Sequence, residues 1–242
     1  MKPAIRVENL SKHFMGIRAI DDLTVEIPSG VATGLIGPNG SGKTTLMNML
    51  TGLLVPTEGT IEIVGHDVCR RIKPTMLRAF KIARTFQDGR LVEQLSVEDN
   101  LLLTVGENDC WKSFLDFKRD EKLSDVLDII HLKDHRLKKA GTLSYGQRKL
   151  LEIGRTLMQN ADIYFFDEPF TGLFPEVVEQ VLSILQALKK QEKTMVVIEH
   201  NMGLIERLCD HTIVLDYGRL LAQGTPQEVL KNKEVQKAYL GK

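Results

Sequence analysis

The chain has 242 residues, 43% of them hydrophobic and 26% charged, which is typical of a soluble globular protein with one large domain or a core and a smaller lobe. Lys plus Arg and Asp plus Glu each number 32, so the net charge is zero and the basic excess typical of nucleic-acid-binding proteins is missing. The longest apolar runs, such as IYFF and MVVI, are far shorter than the roughly 20 residues of a membrane-spanning helix, so a transport role would need another chain.

The cysteines and the first residues indicate a reducing, cytoplasmic environment. Cys69, Cys110 and Cys209 lie far apart and form no CxxC pair, which argues against the common zinc and redox motifs. A low and odd number of cysteines is typical of cytoplasmic proteins. The start, MKPAIRVENL, has no apolar signal-peptide core, so we expect no secretion signal.

The N-terminal part of the chain is predicted to be rich in strands. AIRVENL and AIDDLTVEIP alternate apolar with polar residues, as half-buried strands do. VATGLIG is predicted to be a strand that leads through a glycine turn into an apolar helix, TTLMNMLTGLL. GTIEIVG is a further short strand.

From about residue 91 to residue 159 the apolar spacing becomes helical. Ser96, with Asp99 three residues later, matches a helix-start signature. LSDVLDIIHL and LLEIGRTLM repeat apolar residues at helical spacing. We therefore predict a helical lobe that interrupts the strands.

The C-terminal part alternates again between strands and helices. IYFFDEP and TMVVIEH are predicted to be buried strands, with a helix, EVVEQVLSILQALKK, between them. HTIVLDYGRLLAQG predicts two short strands joined near Gly218, and Thr225-Pro226-Gln227-Glu228 predicts a capped helix start. Strand–helix–strand units with buried strands predict an α/β fold with a parallel sheet covered by helices.

The strongest local motif is GPNGSGKT, which fits G-x-x-x-x-G-K-[ST] between a predicted strand and a predicted helix. The glycines let backbone N–H groups surround phosphate oxygens, Lys43 reaches the outer phosphates, and the Thr44 hydroxyl can bind Mg²⁺. A chance glycine-rich turn is the alternative, and the flanking strand and helix argue against it. The residues predicted here to bind the nucleotide are Gly37, Asn39, Gly40, Ser41, Gly42, Lys43, Thr44 and Thr45.

Asp167 and Glu168 follow the buried run IYFF, at the strand end where ligands bind in parallel sheets. We predict that Asp167 assists Mg²⁺ through water and that Glu168 orients or deprotonates the attacking water. Two acids at a strand end are by themselves more often a solvated turn or a helix start. The phosphate-binding motif upstream favours the catalytic interpretation.

Two further polar residues end buried segments. Gln87 follows IARTF, and His200 follows TMVVIE. A single glutamine usually lies at the surface, and a single histidine is usually structural. At strand ends of an ATP-handling enzyme, they can instead sense the γ-phosphate, the metal and the water. We therefore predict both as catalytic residues and Gln87 also as a Mg²⁺ ligand.

The segment LSYGQ, residues 143–147, allows two interpretations. Ser144 and Gln147 form a capping box ahead of an apolar helix, so the segment is a complete helix start. A helix terminus offers an anion only about 0.3–1 kcal/mol, whereas even millimolar binding needs about 4 kcal/mol. LSYGQ could therefore only close over an ATP molecule that is held elsewhere.

The ordered set GPNGSGKT, glutamine after RTF, LSYGQ, FFDEP and IEH resembles the motifs of the ATP-binding cassette ATPases, over almost the whole chain. LSYGQ matches the signature motif of that family, usually LSGGQ. Phe14 matches the aromatic residue that stacks on adenine, although alone it would be assigned to the core.

The resemblance implies the fold and the domain organisation. The expected fold is an α/β P-loop NTPase core with a mostly parallel sheet, an N-terminal antiparallel β subdomain and an inserted α-helical subdomain. The expected organisation is a single domain, 1–242, in which 1–87 and 160–242 form the catalytic core and 88–159 form the helical subdomain with the signature motif.

The resemblance also implies partners. Two cassettes, of the same or a paralogous chain, would pair head to tail, so that Ser144, Gly146 and Gln147 contact the ATP held by the other cassette. The helical subdomain would bind transmembrane permease subunits at the cytoplasmic face of the inner or plasma membrane, with an extracytoplasmic substrate-binding protein as an indirect partner. ATP and Mg²⁺ are the implied cofactors, and nucleic acid is not expected.

Within the family, the chain looks most similar to the branched-chain amino-acid importer ATPases. The similarity lies in RTFQ, LSYGQRKLLEIGRTLM and the ending QGTPQEVLKNKEVQKAYLG. Urea and amide importer ATPases are close, and the lipopolysaccharide exporter ATPase shares DEPF. Two departures are Tyr145, where glycine is usual, and Phe174, where the family usually has Asp or Asn that makes polar contacts across the dimer.

Two functions from other classes remain as alternatives. A non-transport cassette ATPase that acts on DNA or ribosomes usually needs a long coiled coil or two cassettes in one chain, neither of which fits in 242 residues. A small-molecule kinase would use the same phosphate-binding motif but leaves LSYGQ and His200 unexplained.

Overall fold

Two sheets and the helices around them are described by a computed structural model that covers residues 2–68, 77–86, 91–104 and 117–240. The strands are β1 (Pro3–Phe14), β2 (Ile17–Pro28), β3 (Ala32–Ile36), β4 (Glu58–Ile63), β5 (His66–Asp67), β6 (Ile82–Arg84), β7 (Ile163–Asp167), β8 (Thr194–Ile198), β9 (His211–Asp216) and β10 (Arg219–Gly224). The helices are α1 (Lys43–Leu50), α2 (Val97–Leu102), α3 (Phe117–Ile129), α4 (Tyr145–Met158), α5 (Pro175–Lys190), α6 (Met202–Leu208), α7 (Pro226–Lys231) and α8 (Lys233–Leu240).

The larger sheet has the strand order β10-β9-β3-β8-β7-β6. Neighbours from β9 to β6 run parallel, and β10 pairs antiparallel with β9 at the edge. Every residue of β3, β7 and β8 is buried, which explains their nearly continuous apolar sequences. The buried strands and the parallel sheet predicted from the sequence are confirmed.

The smaller sheet is antiparallel, with the order β2-β1-β4-β5. Its inward side chains, such as Ile5 and Leu23, share one apolar cluster with Met47 of α1 and Phe165 of the larger sheet. Helix α1 therefore packs between the two sheets. This arrangement fixes the direction in which α1 leaves the turn that follows β3.

Helices α2, α3 and α4 lie between β6 and β7 along the chain. A Cβ atom at Gly154 of α4 would lie 2.7 Å from Cδ1 of Ile130 and 3.0 Å from Cδ2 of Leu101, so glycine allows these segments to pack closely. Their apolar core is continuous with that of the larger sheet. The division at residues 88 and 159 stays a prediction.

The predicted helix starts and the predicted C-terminal hairpin are confirmed. Ser96 and Asp99 form both hydrogen bonds of a capping box, and so do Thr225 and Glu228. Strands β9 and β10 join at Gly218, whose φ is +77°. Across the part of the chain that the structure describes, no helix is both long and apolar enough to cross a membrane.

Candidate nucleotide-binding site

The turn between β3 and α1 carries the predicted phosphate-binding motif, and two of its glycines are required by the backbone. Gly37 has φ +148°, and a Cβ atom there would lie 2.1 Å from the carbonyl oxygen of Leu215. Gly42 has φ +100°, and a Cβ atom there would lie 2.6 Å from the carbonyl oxygen of Ala19. The loop is thus held tightly against neighbouring backbone at both ends, whereas Gly40 faces open space.

The start of α1 has unsatisfied donors. Its N-cap residue, Gly42, provides no side-chain hydrogen bond, and no acidic residue lies in its first turn. The Ser41 hydroxyl is buried and has no hydrogen-bond partner among the described residues. Since the first N–H groups of a helix have no intrahelical acceptor, these donors fit a phosphate group.

Lys43 is folded over the loop that it follows. Its Nζ donates hydrogen bonds to the carbonyl oxygens of Gly37, at 2.8 Å, and Pro38, at 2.9 Å. Burial lowers the pKa of the Lys43 ammonium, while the charges of Glu168 and Asp167 oppose this shift. The ammonium group therefore lies against the loop that a phosphate group would enter. Thr44 and Asn39 are exposed beside it, and Thr45 is half-buried.

Asp167 ends β7 and is buried. Its backbone N–H donates to Oγ1 of Thr85, at 3.1 Å, and its Oδ2 lies 3.4 Å from Nη2 of Arg84. Burial raises the pKa of the Asp167 carboxyl, while the Arg84 charge opposes the rise. The structure thus gives this buried acid a cationic partner that sequence reasoning did not identify.

Glu168 and His200 meet at the carboxyl ends of the neighbouring strands β7 and β8. Nε2 of His200 lies 2.7 Å from Oε1 of Glu168, and the Thr171 hydroxyl lies 3.3 Å from Oε2. Glu168 has a left-handed backbone, with φ +48°, and its N–H donates to the carbonyl of Ile198. Two of the three residues predicted to be catalytic are therefore in direct contact.

Glu199 is a buried acid that sequence reasoning missed. Its Oε1 accepts from the backbone N–H of Phe170, at 3.2 Å, and its Oε2 accepts from that of His200, at 3.0 Å. Burial raises the pKa of the Glu199 carboxyl, and these backbone hydrogen bonds oppose the rise. A charged residue that ends the apolar run TMVVI is the signal that could have identified it.

Phe14 lies at the end of β1 and is 41% exposed. Nζ of Lys12 lies 5.2 Å from the centre of its ring. The core assignment that Phe14 would receive in isolation is therefore wrong, since the side chain is exposed. Gln87, the remaining predicted catalytic residue, lies outside the described residues.

The signature segment forms the predicted helix start. Ser144 and Gln147 form the capping box of α4, and Nε2 of Gln147 lies 3.1 Å from Nε2 of His135. The Tyr145 hydroxyl donates to the carbonyl of Thr171, at 3.2 Å. A Cβ atom at Gly146 would lie 3.0 Å from a methyl group of Val177, which belongs to α5. This glycine therefore lets α4 approach α5 closely.

Comparison with known proteins identifies the family of this chain. The family model described as ABC transporter matches residues 20–171, and the model described as branched-chain amino acid ATP-binding cassette transporter matches residues 219–242. The chain belongs to the ABC transporter family. It is an ATPase cassette, as the motif order predicted.

Similar proteins extend this match to nearly the full length of the cassette. The high-affinity branched-chain amino acid transport ATP-binding protein BraF of Pseudomonas aeruginosa is 32% identical over an alignment 253 positions long, which covers 99% of this chain and 98% of that protein. LivG of Escherichia coli K12, a protein of the same description, is 32% identical over an alignment 254 positions long, with the same coverage.

A solved structure confirms the predicted fold class of the cassette. An ATP-binding cassette of an ABC transporter, solved in its ADP conformation, superposes with a TM-score of 0.87 at 32% identity, and the match covers 100% of both chains. Together with the ABC transporter match, this similarity supports nucleotide binding here.

Proposed function

We propose that this cassette binds ATP on the loop of residues 37–45 and hydrolyses it with the Glu168–His200 pair. The observation that carries the proposal is the 2.7 Å contact between these two side chains at the carboxyl ends of β7 and β8. A carboxylate and an imidazole in contact at the carboxyl ends of parallel strands are suited to positioning and deprotonating a water molecule.

The loop residues support the binding half of this proposal. The backbone N–H groups at the start of α1 and the unpartnered hydroxyl of Ser41 would donate to phosphate oxygens. Lys43 would exchange its two carbonyl acceptors for the outer phosphates. The exposed ring of Phe14 would stack on the adenine.

We propose that Thr44 and Asp167 hold Mg²⁺ together with phosphate oxygens, which fits the usual binding of this ion by few protein groups. Within the described ranges, no three His, Cys, Asp or Glu side chains cluster as metal ligands. When bound, Mg²⁺ would neutralise charge that builds up on the phosphates during hydrolysis.

Glu168 would act as the base in the reaction. A water oxygen attacks the γ-phosphorus, the bond from that phosphorus to the β–γ bridging oxygen breaks, and a water proton passes to Glu168. To act as a base, Glu168 must be a carboxylate that accepts hydrogen bonds, so Nε2 of His200 would donate in the 2.7 Å contact. A γ-phosphate would compete for this N–H group and leave Oε1 available to water.

We propose that a second cassette completes the site through the segment LSYGQ. The Ser144 hydroxyl and the Gln147 side chain form the α4 capping box, so this helix start is already formed in the single chain. The free energy that this helix start offers an anion is too small for binding on its own. This favours a role in closing over ATP that is held by the other chain. The partner cassette is the same or a paralogous chain.

The transported substrate is proposed from the relatives. BraF and LivG are described as branched-chain amino acid transport proteins, and the C-terminal match to that family covers residues 219–242. We propose that this cassette drives import of branched-chain or related amino acids through separate permease subunits, from the cytoplasmic face of the membrane. These relatives do not favour the exporter, kinase or nucleic-acid alternatives.

The Glu168→Gln variant tests the hydrolytic part of the proposal. It keeps the size of the side chain but removes the base, so phosphate release should be nearly abolished while ATP binding and an ATP-bound dimer persist. Thr171→Val is the matched control, because it removes only the 3.3 Å contact to Oε2 of Glu168 and leaves the carboxylate in place. Undiminished turnover in Glu168→Gln would rule out this mechanism.

The substrate part needs a separate experiment. The cassette is purified with the membrane subunits that bind it, these are placed in vesicles with their binding protein, and ATP-dependent uptake of labelled leucine is compared with that of labelled urea. Leucine uptake that stops with Glu168→Gln supports the proposal. Urea uptake without leucine uptake would reject the substrate and keep the ATPase.

A further inference from the structure

Arg84 is a buried cation that touches one of the proposed metal-site residues. It ends β6, and its side chain is only 4% exposed. Its Nη2 lies 3.4 Å from Oδ2 of Asp167, whose side chain is 3% exposed. Strands β6 and β7 are parallel neighbours, so both charges lie at the same end of the sheet.

The same guanidinium also holds the far end of the helix that begins at the phosphate-binding loop. Nη1 of Arg84 donates to Oδ1 of Asn48 and to Oγ1 of Thr51, both at 2.7 Å. Asn48 lies in the last turn of α1, and Thr51 follows that helix directly. Helix α1 has eight residues and begins at Lys43, so Arg84 fixes it opposite the loop.

The residue after Arg84 reinforces this arrangement. Oγ1 of Thr85 accepts the backbone N–H of Asp167, at 3.1 Å. Arg84 and Thr85 thus hold both the side chain and the backbone of Asp167. A planar guanidinium directs five N–H donors in a fixed fork, which a lysine ammonium cannot reproduce.

We propose that Arg84 is a positioning residue, which locks the Asp167 carboxylate to α1 and so sets its placement relative to Thr44. Asp167 and Thr44 are the two side chains proposed to hold Mg²⁺, so the inference rests on the proposed function. Arg84 itself touches neither the metal nor the nucleotide in this scheme. It acts through Asp167 and α1.

A purely structural role for Arg84 makes a different prediction. Removing one partner of a buried ion pair destabilises a protein whatever its function, so a lower melting temperature does not distinguish the two roles. A positioning role also predicts that, in an Arg84 variant, Mg²⁺ no longer raises the affinity for ATP. The affinity for ATP measured without Mg²⁺ should be unchanged. The ratio of these two affinities is therefore the quantity to measure.

The experiment uses the full chain with Glu168→Gln in every variant, so that ATP is not consumed. Binding of a fluorescent ATP analogue is titrated with Mg²⁺ and with EDTA. Arg84→Gln should reduce the Mg²⁺ enhancement by about 10- to 100-fold, the usual loss when a residue that orients a metal ligand is removed. Asn100→Ala, which removes buried hydrogen bonds to the carbonyls of Val92 and Ser96 and no contact of Arg84, should lower the melting temperature but keep the enhancement.

Arg84→Lys keeps the positive charge but removes the planar guanidinium, so it tests whether geometry or charge matters. It also provides a test of the positioning role if Arg84→Gln does not fold. It should lose the enhancement as Arg84→Gln does, because the ammonium cannot reach Asp167, Asn48 and Thr51 together. A full enhancement with lysine would overturn the positioning role. So would a full enhancement in a folded Arg84→Gln variant.

Asp167→Asn distinguishes failure of this inference from failure of the proposed function. Asp167→Asn alone should remove the Mg²⁺ enhancement, and adding Arg84→Gln should then change it no further, since both act through one carboxylate. If Asp167→Asn keeps the enhancement, the proposed metal site is wrong. If Asp167→Asn removes it and Arg84→Gln does not, only the role of Arg84 is wrong.

Discussion

Nε2 of His200 lies 2.7 Å from Oε1 of Glu168, across the ends of two neighbouring parallel strands. His200 is the more exposed of the two, with 42% of its side chain accessible against 23% for Glu168. The histidine is therefore the more accessible member of the pair, although both side chains are partly open to solvent.

His200→Ala should reduce ATP hydrolysis by about a hundredfold or more, since positioned groups of this kind contribute about 10²–10⁴-fold. ATP binding should persist, because the loop of residues 37–45 is unchanged. Phosphate release measures the first quantity and nucleotide titration the second. His66→Ala is the control, since His66 is exposed on β5 in the other sheet. Equal turnover in wild type and His200→Ala would contradict the assignment.

Ser144→Arg should block ATP-driven dimerisation and hydrolysis but leave ATP binding to a single cassette largely intact. The substitution also removes the N-cap of α4, which costs about 0.5–2 kcal/mol of stability. Sedimentation or light scattering with ATP, in the Glu168→Gln background, measures dimerisation. Loss of nucleotide binding by the monomer, with dimerisation retained, would mean that LSYGQ contacts the nucleotide of its own chain and not that of the partner.

Ser96→Arg is the matched control for that experiment. Ser96 forms the same two capping-box hydrogen bonds with Asp99, at the start of α2. Both variants lose a cap, so both should melt at lower temperatures by similar amounts. Only Ser144→Arg should affect the dimer, and a dimer lost in both would point to a general effect of cap loss.

The sequence predicted those parts of the molecule whose causes are local. The capping boxes at Ser96, Ser144 and Thr225 each need a hydroxyl and an acceptor three residues apart, which is visible in the sequence. The buried strands were visible because both faces are covered, which makes their apolar runs continuous. The motif order predicted the family and its ATPase activity.

The contacts of Arg84 and Glu199 were not predictable in the same way. Arg84 meets Asp167 across 83 residues of sequence, and Glu199 meets the N–H of Phe170 across 29. Both are charged residues next to apolar runs, where a solvated position is the usual expectation. Only the pairing of β6 with β7, and of β7 with β8, brings their partners to them.

Gly42→Ala should remove ATP binding and lower the melting temperature, whereas Gly40→Ala should have a much smaller effect. Both glycines have positive φ, which costs an alanine about 1–2 kcal/mol. A Cβ atom at Gly42 would also lie 2.6 Å from the backbone oxygen of Ala19, and overpacking of this kind adds about 1–3 kcal/mol.

Thermal unfolding and nucleotide titration test this pair of variants. Each 1 kcal/mol shifts the melting temperature by about 2–4 °C in a protein of this size. Because nothing lies within 4 Å of a Cβ atom at Gly40, its variant isolates the cost of the backbone conformation. Equal shifts in the two variants would mean that the loop moves away from Ala19 without cost.

The ion pair between Asp21 and Arg219 should make the stability of the cassette depend on acid. Nη2 of Arg219 lies 2.6 Å from Oδ2 of Asp21, which ties β10 to β2. The hydrogen bond from Arg219 lowers the pKa of the Asp21 carboxyl, and Arg18 adds to this effect while burial opposes it. The stabilisation is therefore present above the unfolded-state pKa of about 3.9 and is lost as pH falls through the folded-state pKa.

Asp21→Asn should melt at a lower temperature than wild type at pH 7, and this difference should shrink as the pH is lowered below the unfolded-state value. Melting temperatures across a pH series measure both curves. Asp22→Asn is the control, because an amide oxygen can still accept the hydrogen bond from Asn9. Arg219→Gln should reproduce most of the Asp21→Asn difference, because it removes the pair with Arg219 but leaves the 3.0 Å pair between Arg18 and Asp21. A difference between wild type and Asp21→Asn that stays constant with pH would show that packing, and not the charge of Asp21, joins β10 to β2.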